Sequence, residues 1–204
     1  MTEVKQYKTL AFDCFGTLAF IAKPTHPYKT LLSRRTLAHK DPRSVMCAPW
    51  TLQQTALEFD IDISSRDMSV LEQALRDELA SITLYPETRS VLESLRAAGY
   101  QIAVCSNLAA PYAETIEQEL GDLLDVIIWS FNTGAVKPSS KIYEDLLHKS
   151  ASAPKQSLMV GDSYTADVEG ARAAGLDALH LVRGTQPTNP DQIASLGLLL
   201  ERLC

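Results

Sequence analysis

Four stretches of the chain place charged or nucleophilic side chains at or some way beyond the end of an apolar run. In the first, Leu10-Ala11-Phe12 leads into Asp13-Cys14-Phe15-Gly16-Thr17-Leu18. A carboxylate at the end of a hydrophobic strand is costly to bury unless it is paired or used. Gly16 permits a tight turn after it, and the Thr17 hydroxyl can support the carboxylate or an anion. Alone, Asp13 reads equally well as a turn residue. The second stretch is Ser106-Asn107, behind the run ending at Cys105. Its hydroxyl and backbone N–H groups could hold an oxyanion or a phosphate oxygen; by itself it reads as the start of a turn.

The third stretch is Val136-Lys137-Pro138-Ser139-Ser140-Lys141. Lys137 could neutralise a developing negative charge, although a loop lysine is normally solvated, and Pro138 fixes the backbone behind it. The fourth is Val160-Gly161-Asp162-Ser163-Tyr164-Thr165-Ala166-Asp167. Two acids five apart at a strand-to-helix junction suit a hard cation such as Mg²⁺, which takes a few carboxylates plus water and substrate oxygen. The plainer reading is N-capping of the helix that follows.

These residues need a scaffold, and the chain supplies one. Apolar runs alternate with amphipathic stretches, the pattern of an α/β protein with a parallel sheet covered by helices. Strands are expected at residues 10–12, 101–105, 126–129, 157–160 and 178–182, with helices at 88–98, 112–120, 141–148 and 165–174. Gly175 is the expected stop of the last helix. All four polar stretches then sit at strand ends, where ligands bind in an open parallel sheet. Residues 19–84 break the alternation, with helices expected near 28–39, 51–59 and 65–81 and no convincing buried strand. Val70, Leu71, Leu75, Leu79 and Ile82 fall close to one helical face. The division expected is a Rossmann-like core of residues 1–18 and 85–204 with a small helical cap, 19–84, inserted after the first strand. The tail opens turn-rich and closes as an apolar helix, whose Leu196–Leu200 stretch serves either an interface or the core.

The 204 residues are 46% apolar and 22% charged, ordinary for a soluble globular protein. A net charge of −6 argues against general attraction to nucleic acid or to an anionic membrane. Cys14, Cys47, Cys105 and Cys204 are scattered without CxxC pairing, so neither a zinc site nor a disulfide framework is expected. No run has the length of a membrane span, and Asp13 interrupts the apolar stretch a signal peptide would need. A cytoplasmic enzyme with a small-molecule substrate is the expectation; its oligomeric state is open.

Together, in this order and at these strand ends, the four stretches resemble the motifs of the haloacid dehalogenase superfamily of hydrolases, in its capped subfamily I form. The resemblance also covers Tyr85-Pro86 and Ala173-Ala174-Gly175-Leu176. It implies Asp13 as nucleophile, Thr17, Ser106 and Asn107 as substrate-oxygen binders, and Lys137 as the charge-stabilising cation. It implies Mg²⁺ held by Asp13, the Phe15 carbonyl and Asp162, with Asp167 ligating the metal or orienting the lysine.

Two departures pull in opposite directions. Phosphatases of this superfamily usually carry a second aspartate two residues after the nucleophile, as general acid and base; Phe15 occupies that position and can do neither. Asp-x-aromatic-Gly-Thr-Leu looks like the 2-haloacid dehalogenase branch, whose chloride leaves unaided. That branch grips the substrate carboxylate with a cap arginine, for which Arg34, Arg35 and Arg43 are candidates, and Tyr143 matches another of its positions. Gly161-Asp162-Ser163 with Asp167, however, looks like the metal-binding motif of phosphatases. Clustered acids are costly without a cation, whereas general acid–base help contributes about 10²–10⁴ in rate and its loss is survivable. The reading preferred is Mg²⁺-dependent hydrolysis of a phosphate ester through an aspartyl intermediate. The alternatives are a 2-haloacid dehalogenase and a catalytically quiet phosphate-binding protein. His26, Tyr28, His39 and Trp50 are candidate cap contacts, although packing or surface roles are commoner for such residues.

Overall fold

A computed structural model describes residues 7–35 and 40–203. Its centre is a six-stranded parallel sheet in the order β5-β4-β1-β6-β7-β8. The strands are β1 (Thr9–Phe12), β4 (Gln101–Ser106), β5 (Val126–Trp129), β6 (Ser157–Gly161), β7 (Asp177–Leu181) and β8 (Gln192–Ile193). Two further strands, β2 (Ala19–Ile21) and β3 (Ile82–Leu84), form a separate antiparallel ribbon. In register, Phe12 pairs with Val104 on one side and Val160 on the other. The C-terminal ends of β1, β4 and β6 therefore lie side by side.

Both faces of the sheet are covered, and the period-2 alternation of strands decides which residue meets which helix. Leu10, Phe12, Ile102, Val104, Leu158 and Val160 pack on one face with Val91, Leu92 and Leu95 of helix α4 (Thr88–Ala97). Ala11, Ala103, Cys105 and Met159 face the other side. There they meet Ile142, Tyr143 and Leu146 of α7 (Ser140–Ser150) and Ala171 of α8 (Gly170–Ala173). Burial on both faces explains the unbroken apolar runs in the sequence. The second face carries mostly small side chains, which lets α7 and α8 approach closely. Gly170 fits that contact, since a Cβ there would lie 2.6 Å from Pro138 and from the Tyr143 hydroxyl. Gly175 ends the segment at φ +89°, as expected of a helix stop.

Between β2 and β3 lie α1 (Pro27–Leu32), α2 (Leu52–Glu58) and α3 (Ser65–Leu79). α2 opens with a capping box, Thr51 and Gln54 each accepting from the other's backbone N–H. The helices fall where the sequence places them, with α1 shorter: it ends at Leu32, and residues 36–39, His39 included, lie outside those described. Two expectations need correction. The β2–β3 ribbon was not foreseen, since its strands are three residues long and mostly half-buried. Val70 is 61% exposed rather than on the buried stripe. That stripe runs through Met68 and Leu71 to Glu78, and Ile82 belongs to β3.

The remaining helices are α5 (Ala113–Leu120), α6 (Ser130–Thr133) and α9 (Leu198–Leu203). Leu196 and Leu199 are fully buried and Leu198 and Leu200 pack beside them, so the apolar tail completes the core. No helix among the described residues is long and apolar enough to cross a membrane.

Candidate active site

The four polar stretches converge beyond the ends of β1, β4 and β6. Asp13 follows β1, and its backbone N–H donates to the Val160 carbonyl of β6. Its side chain is 11% exposed, and Oδ1 accepts from Ser106 Oγ at 2.9 Å and from Lys137 Nζ at 2.7 Å. Ser106, the last residue of β4, is itself buried. Lys137, in the loop between α6 and α7, is also buried and donates a second hydrogen bond to Asp167 Oδ1 at 2.5 Å.

An ammonium in so dry a place survives only through its partners. Burial opposes its charge, but Asp13 and Asp167 outweigh that and hold Lys137 above the usual lysine range. Asp167 is equally enclosed. Its other oxygen, Oδ2, accepts from the Ser163 N–H at 2.9 Å, so both oxygens are taken by protein donors. The chain makes room for it with Gly161, where a Cβ would lie 2.2 Å from Asp167 Oδ2.

Asp162 differs from the other two acids in being exposed. Partial burial, then the charge of Asp13, push its carboxyl above the usual range. Asp13, Asp162 and Asp167 each offer an oxygen within 4.8 Å of the others. Three carboxylates thus face one ammonium, and the excess negative charge calls for a cation. The donors are all oxygen, which suits a hard divalent ion. The turn carrying Phe15 reaches this cluster because residue 16 is glycine: φ is +90°, and a Cβ would lie 2.3 Å from Asp162 Oδ2. The residues present therefore fit a divalent metal.

Of two other expected substrate binders, one is engaged elsewhere and one is buried without a side-chain partner. Asn107 spends its side-chain amide on the Lys137 backbone, accepting from its N–H at 2.7 Å and donating to its carbonyl at 3.0 Å. Thr17 is fully buried, and its hydroxyl has no partner among the described residues. The candidate cap contacts are also accounted for. Arg34 pairs with Asp67, Arg43 with Asp41, and Arg35 donates to the Leu32 carbonyl. Tyr28 donates to the Trp50 carbonyl, while His26 stands exposed ahead of α1. Tyr143 is buried in the core and donates to the Ala166 carbonyl, which fits packing rather than substrate contact.

Arg183 went unnoticed in the sequence, where it is a lone arginine two residues past β7. Its guanidinium donates to the carbonyls of Gly16 at 3.3 Å and Thr17 at 2.7 Å, pairs with Glu87 at 2.6 Å, and stacks 3.6 Å above the Tyr85 ring. Thr88 adds a hydrogen bond to the Leu18 carbonyl at 2.7 Å. The turn after Asp13 is thus strapped to the start of α4. Glu78, on α3, is a second residue that went unnoticed in the sequence, an acid that is buried in the fold.

The sequence profile of haloacid dehalogenase-like hydrolases matches residues 7–175. The chain belongs to this family. Among its relatives is a ribulose-1,5-bisphosphate 5-phosphatase of Halopiger xanaduensis, 33% identical over 103 residues, which are 50% of this chain and 43% of that protein. The chain spans about half the length of curated relatives that it matches. Two solved structures share the fold. A phosphatase of the family from Thermococcus onnurineus superposes with a TM-score of 0.68 at 24% identity, covering 96% of this chain and 97% of that one. A 2-haloacid dehalogenase from Pseudomonas syringae gives 0.69 at 21% identity, covering 96% and 97%. The same scaffold therefore underlies both chemistries, and the choice between them rests on the site.

Proposed function

We propose that this chain hydrolyses a small-molecule phosphate monoester through a phosphorylated Asp13. The observation that carries the reading is the exposed Asp162 carboxylate beside Asp13, in a cluster whose single lysine is already shared between two acids. Ser106 and Lys137 fix Asp13 Oδ1, leaving Oδ2 to attack phosphorus. The bond from phosphorus to the ester oxygen breaks, and the leaving group departs with the electron pair and takes its proton from water. Lys137 stabilises the negative charge that develops. Water then attacks phosphorus, the bond to Asp13 breaks, and phosphate leaves with the carboxylate restored. Asp167 serves Lys137 as its anchor and orienter.

Asp13, Asp162 and the Phe15 carbonyl would hold Mg²⁺, with Asp167 behind them; bound there, the ion supplies charge neutralisation that lets a dianionic phosphate approach three acids. Residues 19–84 act as the cap over this site. The cytoplasm is the compartment proposed, in keeping with free thiols at Cys14, Cys47 and Cys105.

Phe15 favours a 2-haloacid dehalogenase as the second reading. Against it stand the three cap arginines, each already engaged, and the absence of any arginine or lysine among the residues lining the cavity beside Phe15. A panel of phosphate esters and 2-haloacids, each with and without Mg²⁺, separates the possibilities. Metal-dependent phosphate release supports the proposal, and chloride release replaces it with the dehalogenase. Phosphate and Mg²⁺ binding without turnover of any compound points to a quiet binding protein.

A further inference from the structure

A cavity of about 260 Å³ opens against the turns that follow Asp13 and Ser106. Its wall includes Phe15, two residues beyond Asp13, and Asn107, one beyond Ser106. From residues 19–84 come Ile21, Tyr28, Val45, Met46 and Glu78, and from the segment after β4 come Leu108, Ala109 and Tyr112. Three rings form one aromatic wall: Phe15 meets Tyr112 edge-on at 5.9 Å, and Tyr112 lies 6.4 Å from Tyr28. The volume, below the roughly 300–1,000 Å³ of sites for drug-sized ligands, suits a single small ring.

The only carboxylate among the described residues of the lining is Glu78, and its oxygens are occupied. Oε1 accepts from the Tyr112 hydroxyl at 2.7 Å. Oε2 accepts from the Thr25 N–H at 2.5 Å, the Thr25 hydroxyl at 2.8 Å and the His26 N–H at 2.6 Å. An anionic group placed in this cavity would find no cation among its lining residues and would face Glu78. Such a group would gain no attraction of opposite charge from this wall, whereas an apolar ring would gain contact with its aromatic and aliphatic side chains.

We infer that the leaving group is an uncharged aromatic alcohol, so that the substrate class is aryl phosphates with a single small ring. This rests on the phosphatase reading above and names its substrate. Two independent features agree on it. The aromatic, cation-free cavity accepts an apolar ring and rejects a carboxylate or a second phosphate. The absence of a proton donor at Phe15 favours an alcohol that leaves as a stabilised anion, as a phenol does. The reaction is an aryl phosphate plus water giving a phenol and inorganic phosphate. The ester oxygen keeps the electron pair of the broken P–O bond, and the resulting phenoxide takes a proton from water.

The test compares kcat/KM in the wild-type protein for phenyl phosphate, 4-carboxyphenyl phosphate, hexyl phosphate and phosphoglycolate, all with Mg²⁺. The carboxylated phenol leaves at least as readily as phenol, so it isolates the effect of charge in the cavity. Hexyl phosphate keeps the apolar character but is a poorer leaving group. Phenyl phosphate should exceed each of the others by about tenfold or more. Met46→Lys, which adds a cation to the lining, should raise 4-carboxyphenyl phosphate relative to phenyl phosphate. Equal or higher kcat/KM for the carboxylated ester or phosphoglycolate overturns the inference while leaving the phosphatase reading in place. Hexyl phosphate matching phenyl phosphate overturns the aryl assignment. Failure of every ester to turn over overturns the phosphatase reading, and the inference with it.

Discussion

Asn107 and Lys137 exchange two hydrogen bonds, side-chain amide to backbone N–H and carbonyl, at 2.7 and 3.0 Å. The residue following Ser106 thus fixes the loop that delivers the lysine, and two of the four motifs are mechanically one unit. Asn107→Ala should therefore lower kcat, by up to about 10²-fold if the ammonium shifts by an ångström, with little change in KM. A residue that bound substrate directly would raise KM instead.

Asp162 is the open acid of the cluster, and Mg²⁺ should stabilise the folded protein by linkage, about 2.7 kcal/mol at a hundred times its Kd. Asp162→Ala should abolish the rise in melting temperature. Gly16→Ala should weaken it as well, because its Cβ would collide with Asp162 Oδ2 at a positive φ. Melting curves that are the same with Mg²⁺ and with a chelator would remove the metal from the account.

Glu78 ties α3 to Thr25, His26 and Tyr112. Burial raises its pKa, but the Tyr112 hydroxyl and the Thr25 and His26 donors outweigh that and hold it below the ordinary 4.5. A depressed carboxyl pKa stabilises the fold fully above 4.5, and the contribution disappears as pH falls through the lower, folded value. Glu78→Gln should therefore cost on the order of 1.5–3 kcal/mol near neutral pH. Its deficit relative to wild type should shrink in acid. A deficit independent of pH would mean that shape, not charge, matters at this position.

Much of this was legible in the sequence because it depends on local chemistry. Strands buried on both faces read as continuous apolar runs, so β1, β4, β5, β6 and β7 were expected within a residue or two of where they fall. Asp13, Ser106 and Asp162, at the ends of β1, β4 and β6, then locate the site. What stayed hidden depends on tertiary contact. β8 has two residues and β2 and β3 three each, too short for any period to register. Arg183 serves the Gly16 and Thr17 carbonyls from far along the chain, and no local pattern marks it. Glu78 left a trace that was missed: it lies seven residues beyond Leu71, a helical spacing that puts an acid on the buried stripe.

Phe15 separates the two enzyme readings. If the chain is a phosphatase limited by the missing proton donor, Phe15→Asp should speed esters of poor leaving groups, up to the roughly 10²–10⁴ that acid–base catalysis contributes. Esters of good leaving groups should change less. Phe15→Asn controls for polarity and packing, and equal gains from both variants would rule out proton transfer. In a dehalogenase the added carboxylate should instead suppress chloride release.

The central claim is a covalent bond between Asp13 and phosphorus. The most direct measurement is acid quenching during turnover of phenyl phosphate with Mg²⁺, followed by mass spectrometry of the peptide containing Asp13. A single phosphoryl group should appear on Asp13 at a rate compatible with kcat, and it should be absent, together with turnover, in Asp13→Asn. Steady hydrolysis with no phosphoryl group on Asp13, retained by Asp13→Asn, would contradict it.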